Sequence, residues 1–233
     1  MKISGYVLAG GRSSRMGRDK ALMNVPGLNL PSLNMPGSNV PSLSGAGRPA
    51  IQRQCELLNQ LCPDGVFVAG SNSPEVASLA WPIISDPTPF EGPLSGIVSA
   101  LHHAREGIAL IIAVDLWDLD YTDLSRILQV SLDPLNEFDV VYARASRPEQ
   151  GSYKTSARET SKQATSNLND RPVDQPLCAA WRVTSSTSSL ERAFTKGERS
   201  IMKAWTPLSR SAVDIPSSHL ANYNTPADLH PNS

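Results

Sequence analysis

The chain has 233 residues, enough for one substantial core, with 40% hydrophobic residues and a net charge of −1, so nothing favours nucleic acid or an anionic membrane surface as a partner. Three cysteines, Cys55, Cys62 and Cys178, form no metal-type pair and cannot all be bridged, which favours a reduced, cytoplasmic setting. No apolar run is long enough to span a bilayer, and the N-terminus enters a strand without the charged and apolar regions of a secretory signal.

The apolar run Ile3–Leu8 reads as a buried first strand, ended by Gly10 and Gly11. Without a Cβ at either position, a tight turn can aim successive backbone N–H groups at a phosphate chain. Arg12, Arg15, Arg18 and Lys20 bring four cations to this turn, with Asp19 as its one acid. Such a constellation suits an anion as charged as a nucleoside triphosphate, although a solvated glycine turn has the same local composition. It is not a Walker loop, because Gly17 is followed by Arg18-Asp19-Lys20. Nor is it a dinucleotide fingerprint, which needs GxGxxG and a later acid for the ribose.

Residues 25–44 form a degenerate pentapeptide repeat with proline in every unit. Proline removes donors and breaks helices, which predicts a loop. The low cost of lengthening a surface loop favours an inert insertion over a lid. Residues 51–61 carry Leu57, Leu58 and Leu61 at helical spacing, and residues 66–69 read as a second strand. A third strand over 81–85 ends at Asp86, an acid before Pro87 that either helps hold a ligand or turns the chain. Gly92-Pro93 opens a helix that runs through Leu101, His102 and His103. The paired histidines sit late on that helix, away from the strand ends, and no catalytic or metal role is assigned to them.

Residues 108–114 are nearly continuously apolar, as in a central parallel strand covered on both faces. Asp115 follows at its carboxyl end, where open α/β sheets bind ligands. A carboxylate beside a triphosphate is best explained as a ligand for Mg²⁺, which takes one or two carboxylates plus phosphate oxygens. Asp118 and Asp120 read as the cap region of a helix over 120–130. A strand over 137–143 is followed by a polar, aperiodic stretch over 146–175, read as a second extended loop. The chain resumes with a strand over 175–182, a helix over 190–194 and a last strand over 212–215. Thr225 and Asp228, with Pro226 between them, have the form of a capping box.

Leu8-Ala9-Gly10-Gly11-x-Ser13-x-Arg15-Met16-Gly17-x-Asp19-Lys20 resembles the signature loop of the MobA family of molybdenum cofactor guanylyltransferases, within the Rossmann-like nucleotidyltransferases. Later stretches resemble further motifs of that family in the expected order. They are Glu91-Gly92-Pro93-Leu94-Ser95-Gly96, Gln175-Pro176-Leu177, Lys196 to Ile201 by way of Gly197 and Arg199, and Asn222-Tyr223-Asn224-Thr225-Pro226-Ala227-Asp228-Leu229. The resemblance implies a three-layer α/β/α sandwich with a mostly parallel sheet, one domain over 1–233 with insertions at about 26–47 and 146–175. It also implies transfer of GMP from Mg²⁺-bound GTP to molybdopterin-bound molybdenum, with release of pyrophosphate. Gly10-Gly11 after Ala9 resembles the purine-using branch, whereas relatives that use CTP carry Leu-Ala-Ala-Gly.

Carried over residue by residue, the resemblance implies GTP binding by Leu8, Ala9, Gly10, Gly11, Lys20, Ala69, Asp86, Gly92, Pro93 and Asp115. Arg15, Lys20 and Asp115 would carry catalysis, and Asp115 with Asn224 would hold Mg²⁺. Arg182, Arg199 and Asn222 are candidates for the second substrate, although either arginine fits a solvated surface charge equally well. A phosphate nucleophile is already ionised near neutral pH, so no general base is required. The product would pass to cofactor-insertion proteins or molybdoenzymes. The chain departs from the family at Ala69, where relatives often have Asn, and at Leu116-Trp117, where a proline is usual. Two alternatives stay open: a related nucleotidyltransferase with another base or acceptor, and a catalytically weak nucleotide-binding adaptor.

Overall fold

The computed structural model describes residues 1–10, 19–25, 47–71, 73–86, 91–146 and 172–221. Strand β1 (Ile3–Leu8) is followed by a 3₁₀ turn (Lys20–Leu22) and by β2 (Asn24–Val25), which pairs antiparallel with β3 (Arg48–Pro49). This short ladder joins the chain on either side of residues 26–46, which lie outside the described ones and hold nearly all of the proline repeat. Helix α1 (Ala50–Asn59), β4 (Val66–Ala69), the single turn α2 (Pro74–Ala77) and β5 (Ile83–Ile84) come next. Then follow α3 (Pro93–Ala104), β6 (Ile108–Ala113), α4 (Tyr121–Leu132), β7 (Val140–Ser146) and β8 (Val173–Arg182). The described chain closes with α5 (Val183–Thr195), α6 (Ile201–Ala204), β9 (Arg210–Pro216) and a 3₁₀ turn (Ser217–Leu220).

One seven-stranded sheet runs in the order β5-β4-β1-β6-β8-β7-β9. Four of its six neighbouring pairs are parallel; the two antiparallel ones are those of β8, with β6 and with β7. Strand alternation sorts the central side chains into two cores. Val7, Ile108, Leu110 and Ile112 pack with α1 and α4 on one face. Tyr6, Leu8, Ala109 and Ile111 pack with α3, α5 and α6 on the other. The result is the expected three-layer arrangement. β1 and β6 are buried along nearly their whole length, which is why their sequence shows runs of apolar residues rather than alternation.

Several boundaries differ from the sequence reading for identifiable reasons. β7 extends to Ser146 and β8 begins at Val173, so strand reaches into both ends of the stretch read as loop over 146–175. Arg144 and Asp174 make this ladder look like loop in the sequence, but they face each other across it and form a 2.9 Å ion pair. Helix α5 starts at Val183 rather than near Leu190. Its Ser/Thr-rich first half is a poor intrinsic helix former, overridden by tertiary contacts. Ser186 is fully buried and donates to the Asp139 carbonyl at 3.2 Å. Asp120 caps α4 as expected, in a reciprocal capping box with Asp123. His103 meets the buried Tyr6 hydroxyl through Nδ1 at 3.0 Å, which is a packing role. Among the described residues, no helix is long and apolar enough to cross a membrane.

All three cysteines are free and buried. Burial pushes the Cys62 thiol up to about 12, and those of Cys55 and Cys178 higher still. The native protein is therefore expected to leave all three thiols unreacted with Ellman's reagent at mildly alkaline pH and to release them only on denaturation. Fast labelling of any one in the native state would contradict this packing.

Candidate active site

A cleft of about 470 Å³ opens at the carboxyl ends of β1, β4 and β6. Its position follows from the chain path. The helix after β1 packs on one face of the sheet and α3, which feeds β6, on the other, so the loops diverge above β1 and β6. Such a switch point leaves a crevice that the helices cannot fill.

The floor is made of backbone. Gly10, just past β1, lies against Gly70, just past β4: a Cβ on Gly10 would sit 2.9 Å from the Gly70 carbonyl oxygen. Gly70 also has φ +80, which disfavours any side chain, and its own Cβ would come within 3.2 Å of the Gly10 Cα. The two loops meet this closely only because both residues are glycine. Leu8, Ala9 and Ala69 complete the floor with small or apolar surface.

Two charged residues face each other over it. Lys20 Nζ lies 3.4 Å from Asp115 Oδ2, and both side chains are about four-fifths buried, at 20% and 22% exposure. Lys20 opens the 3₁₀ turn, which Asp19 caps by accepting the Ala21 N–H at 3.0 Å. Asp115 is placed by β6, whose ladder with β1 is extended by the Val114 N–H bonding to the Leu8 carbonyl at 3.1 Å. Next to Asp115 the loop turns inward: Leu116, Trp117 and Leu119 are all buried. These apolar anchors stand where proline was expected.

The far wall is the start of α3. Gly92 holds φ +97, a conformation that glycine adopts without strain, and Pro93 occupies the first helical turn. No side chain caps this helix, and its N-terminal end lies on the cleft, where the helix dipole favours an anion. Asp86 is held against the same helix, accepting the Ser95 hydroxyl at 2.5 Å and that of Ser99 at 3.4 Å. On the opposite side Leu177 reaches in from β8. It does so because β8 bulges: Tyr142 pairs with Ala179 but Ala143 pairs with Gln175, so residues 176–178 bow away from β7. Pro176, which has no N–H to give, sits in that bulge.

Leu8, Ala9, Gly10, Lys20, Ala69, Asp86, Gly92, Pro93 and Asp115 thus line one cleft. Gly11, Arg15, Asn222 and Asn224 lie outside the described residues. Asp19, Gly70, Ala113, Val114 and Leu177 also line it and were not picked out as site residues. For Gly70 the signal was present, a glycine directly after an apolar quartet. Leu177 was visible only as part of a motif, because its inward turn depends on the bulge.

Arg182 must be removed from the second-substrate candidates. β8 is antiparallel, and Arg182 pairs with Ile108 at the start of β6, the opposite edge of the sheet from Asp115. There its guanidinium donates to the carbonyls of Phe138 at 3.2 Å and Ser131 at 3.3 Å. Arg199 lies outside the described cleft lining. It donates to the Glu91 carboxylate, beside Gly92, and its guanidinium carbon stands 4.2 Å from the Phe194 ring centroid. Because of the backbone contact at the floor, Gly10→Ala and Gly70→Ala should each destabilise the fold by about 1–3 kcal/mol. Both should also weaken nucleoside triphosphate binding in calorimetric titration. A control change at Gly197, where φ +90 also strains a side chain but a Cβ would meet open space away from the cleft, should cost stability while leaving that binding unaffected.

The sequence profile of the MobA-like NTP transferase domain matches residues 5–211. A probable molybdenum cofactor guanylyltransferase of Rhodopirellula baltica is 28% identical over 97% of this chain and 90% of its own length. Among solved structures, molybdopterin-guanine dinucleotide biosynthesis protein A from Archaeoglobus fulgidus superposes with a TM-score of 0.63 at 18% identity, over 98% of this chain and 95% of that one. The 2-C-methyl-D-erythritol 4-phosphate cytidylyltransferase of Thermus thermophilus superposes nearly as well, with a TM-score of 0.61 at 11% identity over 98% and 96% of the two chains. At such identities the superpositions establish the shared fold and nothing finer. With its profile match spanning nearly all of the sheet and every described residue of the cleft, the chain belongs to the MobA-like NTP transferase family.

Proposed function

We propose that this chain transfers GMP from Mg²⁺-bound GTP to the phosphate of molybdopterin carrying molybdenum, releasing pyrophosphate. The observation that carries the reading is the Lys20–Asp115 pair, 3.4 Å apart, over a glycine floor at the sheet's switch point. The name borne by the Rhodopirellula relative supports guanine as the base and the molybdenum cofactor as the acceptor. Ala9-Gly10-Gly11 supports the same base. The cysteines, all free, suit a cytoplasmic setting.

The Asp115 carboxylate is a hard oxygen donor in a cleft sized for a nucleotide, and this fits Mg²⁺, which is satisfied by one or two carboxylates, phosphate oxygens and water. Asp115 would hold the ion, with Asn224 as a further ligand. When bound, Mg²⁺ neutralises charge on the phosphate oxygens. The chain's own groups do the rest. Backbone N–H groups around Gly10 and Gly11 hold the β- and γ-phosphates. Lys20 and Arg15 neutralise charge on the α-phosphate and the departing pyrophosphate. Asp86 and the start of α3 at Gly92 and Pro93 flank the nucleoside, beside Ala69. The acceptor enters from the Leu177 side, and Asn222 and Arg199 are its candidate contacts. In-line transfer needs positioning and charge neutralisation rather than a base, because the nucleophile is already ionised.

Calorimetric titration with GTP, CTP and ATP, each with and without Mg²⁺, tests the base and the metal together. GTP should bind tightest, and more tightly with Mg²⁺. Equal binding of all three, or of none, would refute the guanylyltransferase reading. Asp115→Ala should lower transfer by about a thousandfold or more while the protein stays folded. Near-normal turnover of that variant would remove Asp115 from the mechanism.

A further inference from the structure

Helix α1 carries two polar side chains inside an apolar core. Gln54 is fully buried and Arg53 is 7% exposed, between Ile51 and the buried pair Leu57 and Leu58. Burying an amide or a guanidinium is unfavourable unless its donors are satisfied. Both side chains donate into the same loop, the one that begins at Asp115. Gln54 Nε2 gives a hydrogen bond to the Leu116 carbonyl at 2.5 Å, and Arg53 Nη2 gives one to the Leu119 carbonyl at 3.1 Å. Arg53 Nη1 also donates to Gln54 Oε1 at 3.3 Å, which ties the two together. Because Leu116, Trp117 and Leu119 are buried, water does not serve this turn freely, and α1 supplies donors in its place.

The same helix holds the opposite side of the cleft. The Ala50 N–H, at the start of α1, donates to the Met23 carbonyl at 2.8 Å, just past the 3₁₀ turn that bears Lys20. One rigid element therefore sets the spacing between Lys20 and Asp115. We infer that Gln54 and Arg53 are positioning residues for the metal-binding carboxylate: their hydrogen bonds to the loop after β6 hold Asp115 in the orientation that receives the cation. The inference rests on the proposed role of Asp115 as the Mg²⁺ ligand.

The test uses Mn²⁺ as a paramagnetic substitute, with its GTP-dependent affinity read by electron paramagnetic resonance. A wild-type protein that shows no GTP-dependent Mn²⁺ binding refutes the role of Asp115, and this inference with it. Given binding by the wild type, Gln54→Met keeps chain length and apolar volume but removes the donor. It should weaken Mn²⁺ affinity about tenfold or more, as loss of a partner behind a metal ligand commonly does. Amide exchange over 116–119 should accelerate in the same variant. Arg53→Met should act in the same direction, whereas Arg53→Lys, which keeps a donor for the Leu119 carbonyl, should return affinity to within about threefold of wild type. A folded Gln54→Met protein that binds Mn²⁺ as tightly as wild type overturns the inference. So does an Arg53→Lys variant as weak as Arg53→Met, since packing alone would then explain the loss. If Gln54→Met fails to fold, the Arg53 pair decides.

Discussion

The register between β1 and β6 is the constraint on which the site depends. These strands pair in parallel without interruption from Ile3 with Ile108 to Leu8 with Ala113. Both are buried on both faces, so a slip of one residue would send Tyr6, Val7 and the isoleucines of β6 into the wrong cores. With the register fixed, Gly10 and Asp115 emerge at the same height, two residues past their strand ends. Neither strand carries chemistry itself. Their shared carboxyl edge puts Gly10 and a carboxylate next to each other, although the two lie far apart in sequence.

The surrounding elements stiffen that edge in different ways. Backbone contact between Gly10 and Gly70 closes the floor, and no side-chain interaction could make the two loops approach as nearly. Asp86 is held by hydroxyls of α3, and Glu91 is tied to Arg199 from the loop between α5 and α6. The wall near Gly92 is therefore anchored to the helical layer behind it. Only Lys20 and Asp115 are left as an opposed charge pair in the described cleft, in contact yet partly accessible. The pair is about four-fifths buried at a separation of 3.4 Å.

Near-equal superposition on a guanine dinucleotide biosynthesis protein and on a cytidylyltransferase shows what the fold leaves free. A shared fold by itself does not select the base or the acceptor.

How much of this was legible from the sequence follows from the range of each interaction. The strands over Ile3–Leu8, Val66–Ala69 and Ile108–Ala113 could be read because doubly buried strands are dominated by apolar residues. The glycine turn, the Asp120 cap and the acid at the end of the central strand were legible because their chemistry is local. Strand direction was not. Arg182 was a candidate through the family resemblance of its strand, yet the antiparallel course of β8 sends it to the opposite edge. The Gly10–Gly70 contact, the burial of Gln54 and Arg53, and the inward turn of Leu177 were equally hidden, because each depends on a partner remote in sequence. The sequence by itself determined the buried strands, the glycine after the first of them and the Asp120 cap, since charge, backbone freedom and hydrophobic period are properties of short stretches. Only the tertiary structure decided which of them meet, because that depends on sheet order, strand direction and the close approach of distant backbones.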